Sequence, residues 1–528
     1  MGKPQDISPE FGRLRSFFWP IHRHELKKVL PMLLIFFLIT FNFNLLRTMK
    51  DTLVITADVS GAEVIPFIKV WFMFPGSILM AFLFTRLSNC LSREYVFYSI
   101  TFLFITFFAV FTFILYPNRD FFHPNEFCDF LQTILPTGLK GLISAIRNWT
   151  FSLFYVMSEV WGNIVLSLLM WGFVNQVTKL GEATRFYAIF GVGINSSGIA
   201  AGYLSVKLSQ GIYNPNLPFG TTAWEQTMFM LICVVIMAGL LIMATFRWLS
   251  CQMLKEKNND SIELVKESVQ GKISMRDSFK YLLKSRYLTY LAIIVITYNI
   301  VINLVEVVWK QQVNELYPEK QDYNLYMSYI TMIMGISATF MSMFIAGNSV
   351  RRFGWSFTAM LTPAILFITS FFFFGLIFAK EHFPNLIYSL TGMAPITLVV
   401  FFGSIQNVLS RSAKYTVFDE TREMALIPLS ADCKLKGKTV IDGVCSRMGK
   451  STGSFVHQSL LLTFSSISKS MPYITATLFS VIGIWMSVTY LLGKKFNSLI
   501  SAIPEKTVVE EQLVESEGSE ATLHEQPA

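Results

Sequence analysis

The sequence predicts an all-α integral membrane protein with twelve transmembrane helices in two six-helix bundles. Three observations predict this: the composition, the recurrence of apolar stretches along almost the whole chain, and a charged segment dividing those stretches into six and six. The 528 residues are 53% hydrophobic, include 50 Phe and are only 15% charged, whereas soluble domains carry about a quarter charged residues. Mean hydropathy is +0.49. The apolar stretches are each long enough to cross roughly 30 Å of hydrocarbon. No length remains for a sizeable soluble domain.

In order, spans are expected near 29 to 47, 65 to 86, 95 to 116, 146 to 175, 186 to 208, 226 to 248, 287 to 309, 324 to 346, 355 to 379, 386 to 410, 440 to 464 and 472 to 493. Residues 129 to 145 read as an extra amphipathic piece broken at Pro136 and Gly138. The N-terminal segment, 1 to 28, is polar and lacks a cleavable signal or an organelle presequence, so helix 1 itself is expected to direct insertion. The first bundle then covers 29 to 248, a charged linker 249 to 286, and the second bundle 287 to 493. The tail, 494 to 528, is acidic and poor in aromatics from Pro504 onward and reads as disordered.

Short loops rich in Lys and Arg stay on the cytoplasmic side. With the N-terminus inside, those loops receive Arg13, Arg15, Arg23, Lys27 and Lys28, then Arg86 and Arg93, Lys179 and Arg185, Arg351 and Arg352, Arg411 and Lys414, and Lys494 and Lys495. Both termini are therefore expected to be cytoplasmic. This sorting explains the net charge of +8 without a nucleic-acid partner. The six cysteines show no C-x-x-C spacing, so neither a metal site nor a disulfide framework is indicated, and no cofactor is expected.

GVCSRMGKST, residues 443 to 452, mimics a phosphate-cradling loop. That motif requires four residues between its glycines to curve the backbone N–H groups around a phosphate, and a buried strand before it. Here five residues separate Gly443 from Gly449, and a lysine-rich stretch precedes them. The lysine instead falls within the eleventh span, where GKSTG (449 to 453) echoes INSSG (194 to 198) of the fifth at an offset of 255. Likewise NLLRTMK (44 to 50) echoes NLVEVVWK (303 to 310), setting Arg47 opposite Glu306. Parallel repeats of six helices are the arrangement of major-facilitator-type transporters, with a central site between the halves.

An ionised side chain near the bilayer centre costs about 2.5 to 3.5 kcal/mol, so it normally faces a polar cavity. Four helices each carry a polar seam at helical spacing. Helix 1 presents Asn44, Arg47 and Lys50; helix 4 presents Tyr155, Glu159 and Asn163; helix 7 presents Asn299, Asn303, Glu306 and Lys310. Helix 11 presents Lys438, Asp442, Ser446, Lys450 and Ser454, with Arg447 beside them. Plainer roles compete. Lys50 and Lys310 could be interfacial anchors, Lys438 a positive-inside residue, and Asp442 its i+4 neutraliser. Glu159 and Glu306 could form structural bridges to Arg47 or Lys450. Trp161, Trp171, Tyr155 and Tyr298 could stack on a planar base, although such aromatics more often pack in the core. Taken together the seams carry excess positive charge, so the ligand is expected to be anionic, and phosphate groups suit Lys and Arg.

The strings RTMKDTLVIT (47 to 56), SEVWGNIVLSLLMWGFVNQ (158 to 176), INLVEVVWK (302 to 310), SRSAKYTVFDETREMALIPL (410 to 429) and KLKGKTVIDGVCSRMGKSTGS (434 to 454) closely resemble the ATP/ADP translocase family of plastids and obligate intracellular bacteria. The resemblance implies a multi-pass inner-membrane antiporter that exchanges external ATP for internal ADP, with phosphate accompanying ADP; a monomer in the lipid bilayer is the expected state. It also implies required residues matching Lys50, Glu159 and Glu306, and a helix 11 lysine among Lys434, Lys436 and Lys438. Of these Lys438 alone continues the helix 11 seam. A proton-coupled nucleotide importer of the same family stays open as an alternative. So does a membrane-bound nucleotide-hydrolysing enzyme, although the phosphate loop and metal-holding carboxylate it would need are missing from the sequence.

Overall fold

The computed structural model describes residues 21–23, 25–178, 180–257, 284–429, 437, 438 and 440–501. The first twenty residues, most of the expected linker, the tail from 502, and Lys434 and Lys436 lie outside the described residues, as does the side chain of Asp442.

Every regular element among the described residues is helical. Hydrocarbon demands this, because a spanning segment with no water around it must satisfy its own N–H and C=O groups. Ten helices long and apolar enough to cross a membrane follow in order: α1 Leu26–Ile55, α2 Val64–Cys90, α3 Arg93–Leu115, α4 Trp149–Asn175, α5 Ile189–Ser209, α6 Ala223–Gln252, α7 Arg286–Leu316, α8 Lys320–Phe344, α9 Arg352–His382 and α10 Pro395–Met424. Next come α11, Ser446–Phe464, and α12, Ile467–Ile500, the last of the eleven that meet that measure. α11 does not meet it, because Arg447, Lys450, His457 and its many serines and threonines dilute the apolar residues. Between α3 and α4 the expected amphipathic piece is two short helices, Asn125–Ile134 and Lys140–Arg147, hinged at Pro136.

Several spans contain π-helical turns, at Ile68–Met73 in α2, Gly162–Met170 in α4 and Lys414–Phe418 in α10, with another at Ile441–Cys445 leading into α11. A π turn inserts a residue and re-aims the side chains that follow, and such turns concentrate at functional sites. Lys69 lies inside the first of them, while Glu159 and Arg411 each stand three residues before theirs.

Packing repeats from one half of the chain to the other. α1 packs against α4, α5 and α6, and α7 against α10, α11 and α12. The halves meet where α5 and α1 cross α8 and where α2 crosses α11. Small residues permit this approach. A Cβ added to Gly202 of α5 would stand 2.6 Å from the Met332 backbone nitrogen, and one on Gly335 of α8 would stand 2.7 Å from that of Ile199. The glycines of GKSTG do the same work within the second half, since a Cβ on Gly449 would fall 2.7 Å from the Ile296 carbonyl of α7. Gly202→Ala is therefore expected to cost about 1–3 kcal/mol of stability through overpacking against backbone, read as a lowered melting temperature of the detergent-solubilised protein. An unchanged melting temperature would show that the crossing yields.

Hydrogen bonds also tie the halves at one end, where α1, α5 and α7 finish and α8 begins. Asn324 of α8 donates to Ser209 Oγ of α5 (2.8 Å) and accepts from Thr52 of α1 (3.3 Å). Nearby, Ser205 and Ser328 share a 2.7 Å hydrogen bond, and the Ala62 N–H donates to Gln311 (3.2 Å).

Candidate functional site

Just inside that tied end, charges from five helices meet. Lys50 of α1 is 2% exposed, with its Nζ 3.0 Å from both Glu159 Oε1 of α4 and Asp51 Oδ1. The same ammonium lies 3.7 Å from the centre of the Tyr155 ring, a cation–π contact. The other oxygen of Asp51, Oδ2, is 2.7 Å from Lys310 Nζ of α7, both side chains being 1% exposed. Lys310 in turn lies 2.8 Å from Glu306 Oε1, and that oxygen is 2.7 Å from Arg411 Nη2 of α10. Lys69 of α2 approaches Glu306 Oε2 at 3.9 Å and donates to Asn303 Oδ1 at 2.7 Å.

Signs therefore alternate along one chain: Glu159, Lys50, Asp51, Lys310, Glu306, Arg411. Its middle link, Asp51 to Lys310, joins the first half to the second. At 2.7 Å between two side chains that are each 1% exposed, that link is a buried ion pair. Buried ion pairs of this kind stabilise little on balance, because desolvation offsets the attraction, but removing one partner is costly.

Beyond the chain, on the side away from the tied end, polar side chains become accessible. Glu159 is 24% exposed, and Asn163, one turn on, is exposed. Lys450 and Arg447 of α11 are exposed, and the Lys450 charge is felt by Glu159 of α4 and Tyr415 of α10. Arg47 likewise acts on Glu306, Arg411 and Tyr415. Asn44 donates to Ser197 Oγ of α5 (3.3 Å), and Asn303 bonds the Lys450 carbonyl (2.8 Å) and Ser454 Oγ (2.7 Å), fixing α7 to α11. Lys438 stands apart from the chain, 2.6 Å from Glu423 at the end of α10.

The structure thus joins Lys50, Glu159 and Glu306 into one connected group, with Tyr155 against it and Lys450 and Arg47 within electrostatic reach. Two readings need correction. Arg411 does not sit in a cytoplasmic loop: α10 continues through it to Met424, and Glu306 holds it inside. Lys310 is not an interfacial anchor, since it is enclosed between two carboxylates. The suggested bridge partners of Glu306 also differ, with Lys310 and Arg411 in contact with it.

Asp51 escaped sequence reasoning because neighbouring residues on a helix point about 100° apart, which put it off the Lys50 stripe. Its role depends on Lys50 folding back toward it. Lys69 left a legible signal, a lone lysine within the apolar run IPFIKVWFMF. Of the aromatics considered for base stacking, Tyr155, Trp161 and Tyr298 are buried. Trp161 donates to the Ile39 carbonyl (3.0 Å), Tyr298 stacks on Phe418 at 4.5 Å, and Trp171 packs between Phe36 and Tyr187.

A helical membrane protein whose two packed halves meet across buried, oppositely charged side chains has the construction of a transporter. The chain belongs to the TLC ATP/ADP transporter family, whose model matches residues 4–496. It is 42% identical to ADP,ATP carrier protein 1 of Chlamydia muridarum, over 99% of each chain. It is 39% identical to the chloroplastic ADP,ATP carrier protein 1 of Arabidopsis thaliana, over 90% of this chain and 75% of the relative. Among solved structures it resembles a D-xylose–proton symporter with a TM-score of 0.52 and 13% identity, covering 89% of this chain and 97% of the other. A bacterial homologue of the iron transporter ferroportin matches at 0.51 with 12% identity, over 88% and 98%. At such identities the likeness shows only a major-facilitator-like fold.

Proposed function

We propose that the protein is an antiporter exchanging external ATP for internal ADP, with phosphate accompanying ADP, by alternating access between two six-helix bundles. α11 is the twelfth span in this reading. Its polarity is tolerable because it faces α7 and the space between the halves rather than lipid. Both termini are cytoplasmic, so the tied end faces outward and the accessible residues face the cell interior.

The observation that carries this reading is the alternating charge chain with accessible cations beside it. Four cations, Lys50, Lys69, Lys310 and Arg411, meet three carboxylates, Asp51, Glu159 and Glu306, and Arg47 stands within electrostatic reach of them. A polyphosphate entering beside Lys450 competes with Glu159 and Glu306 for those cations. As phosphate oxygens replace the carboxylates, the contacts closing the outer end weaken and the halves can rock about the substrate. Without substrate the chain re-forms, and the empty carrier stays closed outward. Exchange then follows from differential binding, because the ligand favours the state in which the chain is broken. Lys438, held by Glu423, stands on the inward side, where it can meet phosphate as it enters or leaves. Transport of this kind needs no hydrolysis and no cofactor.

Proteoliposomes test it. Radiolabelled ATP should enter vesicles loaded with ADP and stay near background in empty ones. ATP entering empty vesicles under a pH gradient would overturn exchange in favour of proton-coupled import, and stoichiometric phosphate release would point to hydrolysis.

A further inference from the structure

We infer that Tyr415 is the platform on which the nucleobase stacks, and so a determinant of nucleotide over bare polyphosphate; this rests on the proposed nucleotide exchange. Of the four aromatics that the sequence pattern offered, Tyr155, Trp161 and Tyr298 are buried and Trp171 is partly buried, whereas Tyr415 is 43% exposed; Phe418, one turn further along α10, is 4% exposed. It lies within the π-helical turn Lys414–Phe418, and such turns concentrate at functional sites. Its position is also right for a nucleotide. Tyr415 follows Arg411 by four residues on α10, one turn beyond the cation that contacts Glu306, and the charges of Arg47 of α1 and Lys450 of α11 reach its phenol, so cations suited to phosphate from both halves stand in its neighbourhood.

Lys414 Nζ sits 4.2 Å from the ring centre and makes a cation–π contact. An ammonium held against an aromatic face leaves the rest of the exposed ring for a flat, apolar-faced partner. Adenine supplies that face while its phosphates reach the neighbouring cations. One aromatic and three cations drawn from both halves would thereby grip the two ends of the same ligand. The contact is sequence-economical as well, because stacking needs only a π surface and no fixed hydrogen-bond pattern.

Equilibrium binding to the solubilised full-length protein distinguishes stacking from a phenol–phosphate contact. Tyr415→Ala should raise the Kd for ATP and for ADP by about 5- to 150-fold, the range seen when a base loses an aromatic partner. Tyr415→Phe and Tyr415→Trp should stay within about threefold of wild type, because the π face is kept. Tripolyphosphate, which has no base, should bind wild type and Tyr415→Ala alike. The inference is overturned if Tyr415→Ala binds ATP as wild type does, if Tyr415→Phe loses as much as Tyr415→Ala, or if tripolyphosphate weakens in step with ATP. Tyr415→Leu gives the same readout should the alanine variant fail to fold. Failure of wild type to bind ATP at all would instead sink the nucleotide-exchange reading itself.

Discussion

Asp51→Asn is expected to let ATP into vesicles that contain no ADP. Asp51 is the point at which the charge chain passes from one half of the protein to the other, through Lys310. The substitution removes that link and the Asp51 contact to Lys50, while Lys50 keeps Glu159 and Lys310 keeps Glu306. Each half therefore retains a paired group of its own, and the charge contact through Asp51 between the halves is lost. Because both lysines keep a second carboxylate, the cost falls below that of orphaning a buried charge, at about 1–3 kcal/mol. If this energy holds the empty carrier closed, losing it speeds return of the empty form by about 5- to 150-fold. Uptake into empty proteoliposomes should rise correspondingly, while ATP affinity stays within about threefold of wild type. Uptake remaining at background would show that the barrier to empty return lies elsewhere.

A larger loss is expected from Glu306→Gln. This carboxylate is shared by Lys310, Arg411 and, at longer range, Lys69. Glutamine preserves shape but leaves Arg411 and Lys69 without their carboxylate and Lys310 with Asp51 alone. Breaking a buried pair in this way costs about 3–5 kcal/mol. Exchange turnover should fall on the order of 100-fold or more, and the variant should melt at a lower temperature. ATP binding should change far less, since the accessible cations around Lys450 and Arg47 remain. Adding Arg411→Met to Glu306→Gln should recover part of the melting temperature, because it removes one orphaned cation, a coupling that a double-mutant cycle measures. Equal losses of turnover and affinity would make Glu306 a substrate-holding group rather than part of a closure.

These two residues show how differently the sequence treats members of one cluster. Glu306 and Glu159 were visible because a carboxylate enclosed by an apolar run has few ways to reach water, and Lys50 because it continues the stripe of Asn44 and Arg47 on helix 1. Their polar seams survive as faces turned toward other helices. Asp51 was hidden by its adjacency to Lys50, and Arg411 by the assumption that a basic residue near a span end belongs to a loop. Lys310 was seen, and so was Glu306 four residues before it on the same seam, but Asp51 was not, because it comes from α1.

By itself the sequence determined that this is a helical membrane protein, where most spans lie, and which helices carry polar residues at helical spacing. Those properties are local: hydropathy over a span, the period of a helix, the spacing of a motif. Only the tertiary structure decided who pairs with whom. The Asp51 to Lys310 link, the placement of Arg411 against Glu306 and the exposure of Tyr415 depend on which helices cross and on glycines that let them approach. Ion pairing inside a bilayer is a long-range property of the packed bundle, because a buried charge is satisfied by whichever partner the neighbouring helices bring within reach.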